Sequence, residues 1–455
     1  MSEQGPWEGR RLHFVGVGGA GMSAYARAAH ALGAQVSGSD GASSPYLVRL
    51  REDGVLDAQV GHNAKNVPSG DGVELIYSSA VPEENCERAA ARERGIAERP
   101  RADLLGELSA LRRTIAVAGT HGKTTTSSML AHTLRAAGLD PGWLIGAPIG
   151  GGLPNAHWSD GEWLVIEADE SDRSMLSLEL EIAVLMNVEL DHHATFASLA
   201  ELREAFAAFL ARASAARVVW DRPELLALVP DTSDGVELVA FDAASPTLLS
   251  DGSSFGWRGE QVRLAVPGKH NVLDATAALE AARLAGAEAD AALAGLAGFH
   301  GAGRRFQLLG SSRSGALVYD DYAHHPTEVA ATLDAARTLE HGRLIAVFQP
   351  HLYSRTELLA RDFGRALARA DATVVLDVYP ARERAEQHPG VSGLMIAEAA
   401  ADAARGRPVF WLPGFDAAAT VLDGLLGAGD LCVVMGAGDV DALARRLVAA
   451  PLETS

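Results

Sequence analysis

Cysteine is almost absent from this chain: Cys86 and Cys432 are the only two among 455 residues. Two isolated thiols build neither a disulfide framework nor a cysteine zinc site, and their scarcity fits a reducing cytoplasm. Lysine is nearly as rare, with Lys65, Lys123 and Lys269 the whole complement among 39 basic residues. Positive charge is outweighed altogether, at a formal net charge of −20. That excludes a nucleic-acid backbone or an anionic membrane as the main partner and leaves room only for local phosphate pockets. No apolar run reaches membrane-spanning length, and residues 1–11 are polar, without the apolar segment of a secretory leader. The expectation is a cytoplasmic protein. What remains is an ordinary globular composition, 48% apolar and 22% charged, at a length that suits two or three domains.

The most informative stretch is Thr114-Ile-Ala-Val-Ala-Gly119-Thr120-His121-Gly122-Lys123-Thr124-Thr125-Thr126. An apolar run with strand character enters a glycine loop, and a helical pattern starts directly after it. Glycines at 119 and 122 let the backbone curl and aim its N–H groups at a phosphate, on which the helix N-terminus also bears. Lys123 supplies a charge for the outer phosphates, and the Thr124 hydroxyl suits a Mg²⁺ position. Val117 stands where a strict P-loop has its first glycine, so the loop is a shortened variant. In a chain that uses arginine wherever a surface cation will do, a lysine kept here points to the need for a compact ammonium.

Upstream, the strand Leu12–Val15 leads into Gly16-Val-Gly18-Gly19-Ala20-Gly21 and a helix, and a second strand ends at Ser39-Asp40. This is the spacing of a dinucleotide fingerprint, G-x-G-x-x-G with an acid about 20 residues on. Its physics requires only a diphosphate on a helix N-terminus, so a nicotinamide dinucleotide and a nucleotide-sugar diphosphate both remain open. Ser78 and Ser79 follow another apolar strand, at the edge where open parallel sheets bind ligands; the alternative is a plain serine turn.

Downstream of the P-loop, the run Trp163–Ile166 ends in Glu167-Ala-Asp169-Glu170-Ser171-Asp172, and Ile182–Met186 ends in Asn187-Val-Glu189-Leu-Asp191-His192-His193. Acids and imidazoles at strand ends beside a P-loop can hold Mg²⁺ while water completes its octahedron, with Glu167 and His192 the chosen ligands. From Arg217 to Val266, strand-like runs between Gly, Ser and Asp turns suggest antiparallel strands at the edge of the central sheet. Beyond Phe299 the alternation of apolar strands and helices restarts, with polar loops at Asp320–Pro326, Gln349–Arg355, Asp377–Glu383 and Gly436–Asp439. That pattern predicts a second parallel sheet with a ligand edge at its loops.

Five of these runs, in this order, resemble the Mur ligase family over essentially the full length. They are Gly119-Thr-His-Gly-Lys-Thr-Thr125, Glu167-Ala-Asp-Glu-Ser-Asp172, Asn187…Asp191-His192, Pro267-Gly-Lys-His-Asn271 and Asp321-Tyr-Ala-His-His-Pro326. The resemblance implies an α/β protein of three domains. A Rossmann-like N-terminal domain (1–108) would bind a UDP-sugar, and a central P-loop ATPase-like domain with a mixed sheet (109–300) would bind ATP. A Rossmann-like C-terminal domain (301–455) would close over ATP and bring the amino acid.

It also implies the chemistry: the lactyl carboxylate of UDP-N-acetylmuramate takes the ATP γ-phosphoryl group, and the amine of L-alanine attacks the acyl phosphate. Carried over residue by residue, Lys123 and Thr124 match the phosphate and metal positions, and Glu167 and His192 a second magnesium site. Asn271 matches an adenine contact, and Arg305 (or Arg304) with Asp321 the ribose and phosphate contacts. Tyr322, His324, His351 and Arg355 match the place where alanine meets the reacting carboxylate. Gly16, Gly18, Gly19, Ala20, Gly21, Ser39, Asp40, Ser78 and Ser79 are the expected UDP-sugar contacts.

Two features depart from the family pattern. No lysine lies between Lys123 and Lys269, so the carbamylated lysine that several members place on a magnesium ion is absent, and Asp274 stands where asparagine is usual. The competing readings are a recycling ligase that adds a tripeptide to the same sugar nucleotide, an NAD(P)-dependent oxidoreductase built on the Gly16 fingerprint, and a nucleotide-gated binding module. The general base for the amine stays open among His192, His193 and His324.

Overall fold

The computed structural model describes residues 5–191, 195–231 and 235–451, so His192 and His193 lie outside the described residues. The chain divides into two compact units, Met1–Ala243 with Leu273–Phe299, and Ala244–Val272 with His300–Ser455.

In the first unit, strands β1 (Arg11–Val15), β2 (Gln35–Asp40), β3 (Gln59–Val60), β4 (Val73–Tyr77) and β5 (Ala97–Pro100) form one sheet in the order β3-β2-β1-β4-β5. Every pairing is parallel. Strand order reverses between β1 and β4, which puts the Gly16 loop and Ser78 side by side at a switch point, the usual ligand crevice of such sheets. Gly16 has φ +84°, and a Cβ there would lie 3.1 Å from Ser78 Cβ.

The second sheet holds β6 (Arg113–Ala118), β7 (Gly142–Leu144), β8 (Ala156–His157), β9 (Trp163–Glu167), β10 (Leu180–Leu185), β11 (Ala213–Trp220) and β12 (Glu237–Phe241), in the order β12-β11-β10-β6-β9-β7-β8. Only the β7–β8 pair is antiparallel. The central strands read as continuous apolar runs because helices cover both faces of a parallel sheet. One contiguous apolar core joins the two sheets, running from Phe14 and Met22 through Leu104 and Met175 to Phe206.

The expected antiparallel edge between Arg217 and Val266 is corrected. Strands β11 and β12 pair in parallel, because the connection between them contains the helical turn Pro223–Leu226 and carries the chain back to the same end of the sheet. Within this stretch, antiparallel pairing begins only beyond β12, where β13 (Ala244–Leu249), β14 (Gly252–Trp257) and β15 (Glu260–Leu264) make a separate three-stranded sheet. Arg258 and Gly259 both have positive φ, +49° and +91°, which is the mirror-image turn that two-residue hairpins favour.

The second unit's main sheet comprises β16 (Gln307–Ser312), β17 (Leu317–Asp321), β18 (Leu344–Phe348), β19 (Ala372–Val375), β20 (Val409–Trp411), β21 (Leu431–Met435) and β22 (Val448–Pro451). Their order is β20-β19-β18-β21-β17-β16-β22. It is parallel from β20 to β17, with antiparallel partners on one edge. Apolar clusters fill both faces. No helix among the described residues is long and apolar enough to cross a membrane.

Candidate active site

The P-loop follows β6 as expected, and the helix Lys123–Ala136 starts on Gly122 at φ +84°. A Cβ on Gly122 would come 2.6 Å from Asp274 Oδ1, so the residue that departs from the family pattern lies directly against the loop. Asn187, just beyond β10, shapes the loop from the other side. Its Oδ1 accepts the His121 N–H at 2.8 Å and its Nδ2 donates to the His121 carbonyl at 3.0 Å. Thr120 donates its N–H to the Asn187 carbonyl and its hydroxyl to the Glu189 carbonyl. Thr125, also expected to touch ATP, is buried in the first turn of the helix.

Lys123 Nζ donates to the carbonyls of Gly119 (2.7 Å) and Thr120 (3.2 Å) and pairs with Glu170 at 2.9 Å. Glu170 is fully buried. Burial pulls the ammonium pKa down, but Glu170, with Asp169 and Glu167, raises it further, and the net is above the ordinary lysine value. Lys123 therefore stays charged throughout the physiological range. The residue types announced an acidic strand end; the acid that meets the lysine is Glu170, to which the sequence pattern assigned no role.

Glu167 is held from two sides. The Thr124 hydroxyl donates to Oε1 at 2.8 Å and the Gly146 N–H donates to Oε2 at 2.6 Å. Neighbouring ligands of an octahedral Mg²⁺ with bonds of about 2.1 Å stand roughly 3 Å apart, so the Thr124 and Glu167 oxygens are spaced as two adjacent ligands would be. An all-oxygen hydroxyl–carboxylate pair is also the donor chemistry that ion takes. The proposed third ligand, His192, lies outside the described residues.

Asp169 and Asp172, at the end of the same acidic run, are engaged elsewhere. Arg101 Nη2 donates to Asp169 at 2.5 Å and Arg101 Nε to Asp172 at 2.6 Å. Burial pushes both acids up, but the guanidinium wins and holds both below the usual carboxylate range. Arg101 also fills the space beside Gly21, where a Cβ would approach Nη1 to 3.0 Å.

At the first glycine loop, the Gly18 N–H donates to Asp40 Oδ2 at 2.8 Å, and Ser44 Oγ donates to the Gly18 carbonyl at 2.7 Å. The fingerprint acid thus closes its own loop. Gly19 and Ala20 begin the helix Ala20–Ala31, and the Ala20 carbonyl accepts from Asn155 Nδ2. Ser39 turns away from this edge: its buried hydroxyl donates to Glu87 at 2.7 Å. Burial pushes the Glu87 carboxyl up, but four groups, His13, Ser39, the Asn63 N–H and Asn66, outweigh it and bring the pKa down to about 2. Ser78 caps its own turn by accepting the Ala80 N–H, and Ser79 is exposed.

In the second unit, Asp321 accepts the N–H groups of Phe306 and Ala323, each at 2.7 Å, and burial lifts its pKa to about 6 although Arg305 opposes the rise. Arg304 serves the frame, donating to Asp320 and to the carbonyls of Gly436 and Gly438. The Arg305 guanidinium lies over the Tyr322 ring. Asn271 Nδ2 donates to the Pro267 carbonyl at 2.6 Å.

Tyr322, His324 and His351 form a chain of edge-on rings with centroids 5.3 and 5.9 Å apart. Arg355 is buried, with Nη1 at 3.1 Å from His351 Nδ1. A guanidinium has no lone pair, so His351 Nδ1 is the acceptor. His324 Nδ1 lies 2.9 Å from the Tyr322 carbonyl and therefore donates, which leaves Nε2 as the basic nitrogen. Tyr379, which the sequence did not single out, stacks on His351 at 5.8 Å.

The sequence matches three family profiles end to end. They are the Mur ligase family catalytic domain at residues 11–113, the Mur ligase middle domain at 117–282, and the Mur ligase glutamate ligase domain at 304–438. The UDP-N-acetylmuramate–L-alanine ligase of Mycobacterium sp. (strain JLS) is 43% identical, over 98% of this chain and 96% of that protein. The enzyme of that name from Rubrobacter xylanophilus is 43% identical, over 96% of this chain and 99% of its own length. Among solved structures, the UDP-N-acetylmuramate–alanine ligase MurC of Thermotoga maritima superposes with a TM-score of 0.82 at 26% identity, covering 96% of this chain and 98% of its own. A murein peptide ligase from Psychrobacter arcticus gives 0.72 at 25% identity with the same coverages. On profile, identity and architecture alike, the chain belongs to the Mur ligase family and has its three-domain α/β fold.

Proposed function

We propose that this chain ligates L-alanine to the lactyl carboxylate of UDP-N-acetylmuramate at the expense of ATP, a cytoplasmic step in cell-wall precursor synthesis. The observation that carries the reading is the pair of half-buried Lys123 with fully buried Glu170 beside the Thr124–Glu167 pair, on a chain that resembles ligases of this name over its whole length. The labour divides among residues 1–108 for the sugar nucleotide, 109–300 for ATP and 301–455 for the amino acid. A nicotinamide role for the Gly16 loop would leave the Lys123 machinery without a purpose.

A carboxylate is a poor acyl donor, and the ligase corrects this by making its oxygen part of a leaving group. The lactyl oxygen attacks the γ-phosphorus of ATP; the bond to the bridging oxygen breaks and ADP departs, leaving an acyl phosphate. The neutral alanine amine then attacks the acyl carbon, phosphate leaves with the electron pair, and the amine proton passes to a base. Lys123 supplies fixed positive charge where the triphosphate and carboxylate approach, which is the main task in phosphoryl transfer. Thr124 and Glu167, with His192, would hold Mg²⁺, whose chemistry is to neutralise phosphate charge. Gly19, Ala20 and Gly21, at the start of the helix Ala20–Ala31, offer backbone N–H groups to the sugar-nucleotide diphosphate, while Gly16 and Gly18 shape the loop, their own N–H groups bonded to the Ser39 carbonyl and Asp40. Arg355, already oriented by His351, is suited to bind the alanine carboxylate through its planar fork. His324 Nε2 is the basic nitrogen on hand for the amine proton.

Phosphate release should require UDP-N-acetylmuramate and L-alanine together. Replacing L-alanine with a tripeptide in the same assay should remove the signal, and release indifferent to both substrates would refute the proposal.

Asp321 adds a pH signature. With its pKa raised to about 6, the carboxylate is charged above that value and neutral below it. A charged Asp321 accepts a ribose hydroxyl hydrogen bond better than a neutral one. The wild-type advantage over Asp321→Asn in kcat/KM for ATP should therefore be full above pH 7 and shrink as the pH falls through 6. A ratio that is flat with pH would remove Asp321 from the nucleotide site.

A further inference from the structure

Between the two glycine loops of the first unit runs a relay of hydrogen bonds, joined through the backbone and the first turn of a short helix, whose middle members the proposed chemistry does not use. It starts at Gly18, whose N–H is held by Asp40 and whose carbonyl is held by Ser44. A Cβ on Gly18 would meet Asp40 Oδ2 at 2.9 Å and Ser44 Oγ at 3.0 Å, so the loop sits hard against both side chains. Ser44 is the N-cap of the helix Pro45–Glu52, and its Oγ accepts the Leu47 N–H at 3.1 Å. Tyr46, in the first turn of that helix, donates its hydroxyl to the Gly146 carbonyl at 3.1 Å. Gly146 in turn donates its N–H to Glu167 Oε2 at 2.6 Å, and Glu167 Oε1 accepts from Thr124. Gly146 has no room for a side chain on that side, since its Cβ would stand 2.8 Å from Glu167 Oε2.

We infer that Tyr46 is a positioning residue, which couples occupancy of the sugar-nucleotide loop to the placement of the Glu167 carboxylate at the metal and ATP site. The inference rests on the ligase reading. A diphosphate seated on the N–H groups of Gly19 to Gly21 bears on the loop that Ser44 and Asp40 hold at Gly18, and the short helix passes any shift to Tyr46 as a rigid piece. The Tyr46 hydroxyl then fixes the Gly146 carbonyl, and with it the N–H that orients Glu167. Coupling of this kind is reciprocal, so Mg²⁺–nucleotide should tighten sugar-nucleotide binding by the factor with which the sugar nucleotide tightens Mg²⁺–nucleotide.

Titration calorimetry on the full-length protein tests it, with UDP-N-acetylmuramate measured in the presence and absence of saturating Mg²⁺ and a non-hydrolysable ATP analogue. Wild-type Kd should fall at least about fivefold when Mg²⁺–nucleotide is present. Tyr46→Phe removes one hydroxyl and should leave the Kd without nucleotide nearly as it was while abolishing most of that gain. Gly146→Ala, which crowds Glu167 directly, should weaken Mg²⁺–nucleotide binding and leave the sugar-nucleotide Kd alone. A merely structural tyrosine would shift both Kd values together. An unchanged coupling factor in Tyr46→Phe, or no coupling in the wild type, overturns the inference while the ligase reading stands. Wild-type protein that binds no sugar nucleotide overturns both.

Discussion

Lys123→Ala should lower substrate-dependent phosphate release by about a hundredfold to a thousandfold, the usual cost of deleting one preorganised electrostatic contact to a transition state. The ammonium is placed by two loop carbonyls and Glu170 within 2.7–3.2 Å, so its position is set before any phosphate arrives. Lys123→Arg should not rescue the rate, because a planar guanidinium cannot occupy a site shaped around a compact cation. Lys123→Ala also carries a stability cost, since fully buried Glu170 loses the ammonium it pairs with. Breaking such a pair costs about 3–5 kcal/mol, most of it from the charge left behind. Two variants separate the effects. Lys123→Ala combined with Glu170→Gln should recover much of the lost Tm but none of the activity. Calorimetry should find UDP-N-acetylmuramate binding to Lys123→Ala retained. A Lys123→Ala protein that releases phosphate at the wild-type rate would remove the loop from the chemistry.

What was legible in the sequence was local. Strand, glycine loop and helix succeed one another within 13 residues at Thr114–Thr126, and each feature is written in residues adjacent to the next. Glu167 was legible for the same reason, as the acid at the end of an apolar run. The partners of these groups were not legible, because they come from far away in the chain. Glu170 meets Lys123 across 47 positions, Arg101 meets Asp169 across 68, and Tyr46 meets Gly146 across 100. Nothing in the spacing of residues records such pairings. Ser39 and Asp40 show what spacing leaves out. Their spacing from Gly16 fits a dinucleotide fingerprint, yet one hydroxyl is buried against Glu87 and one carboxylate oxygen is occupied by the Gly18 N–H. The β11–β12 pair shows how turn composition misleads: Gly, Ser and Asp occur in crossovers as well as in hairpins, and only the helical turn between the strands tells them apart.

Arg101→Met should destabilise the protein by about 3 kcal/mol, a large effect for a residue outside the P-loop. The guanidinium is the shared partner of two acids, and methionine keeps its bulk beside Gly21 while removing its charge. The cost is uneven. Asp169 keeps 36% of its side chain in solvent and is partly hydrated, whereas Asp172, 15% exposed, bears most of the penalty. The dependence on pH follows from the direction of the shifts. Both acids have folded-state pKa values depressed below the unfolded value of 3.8. Their contribution is therefore fully present above about pH 5 and is lost progressively from about pH 4 downward, as the unfolded chain takes up protons that the folded carboxylates refuse until their own depressed pKa values are reached. Thermal melts of wild type and Arg101→Met should thus differ by about 3–5 °C at pH 7, and the difference should begin to shrink only below about pH 4, with part of it still present at pH 3. Arg101→Met with Asp172→Asn should recover more stability at pH 7 than Arg101→Met with Asp169→Asn, in proportion to the burial of the two carboxylates. A pH-independent difference would mean that Arg101 acts through packing of its aliphatic stem, and the two acids would then be free to serve the metal site.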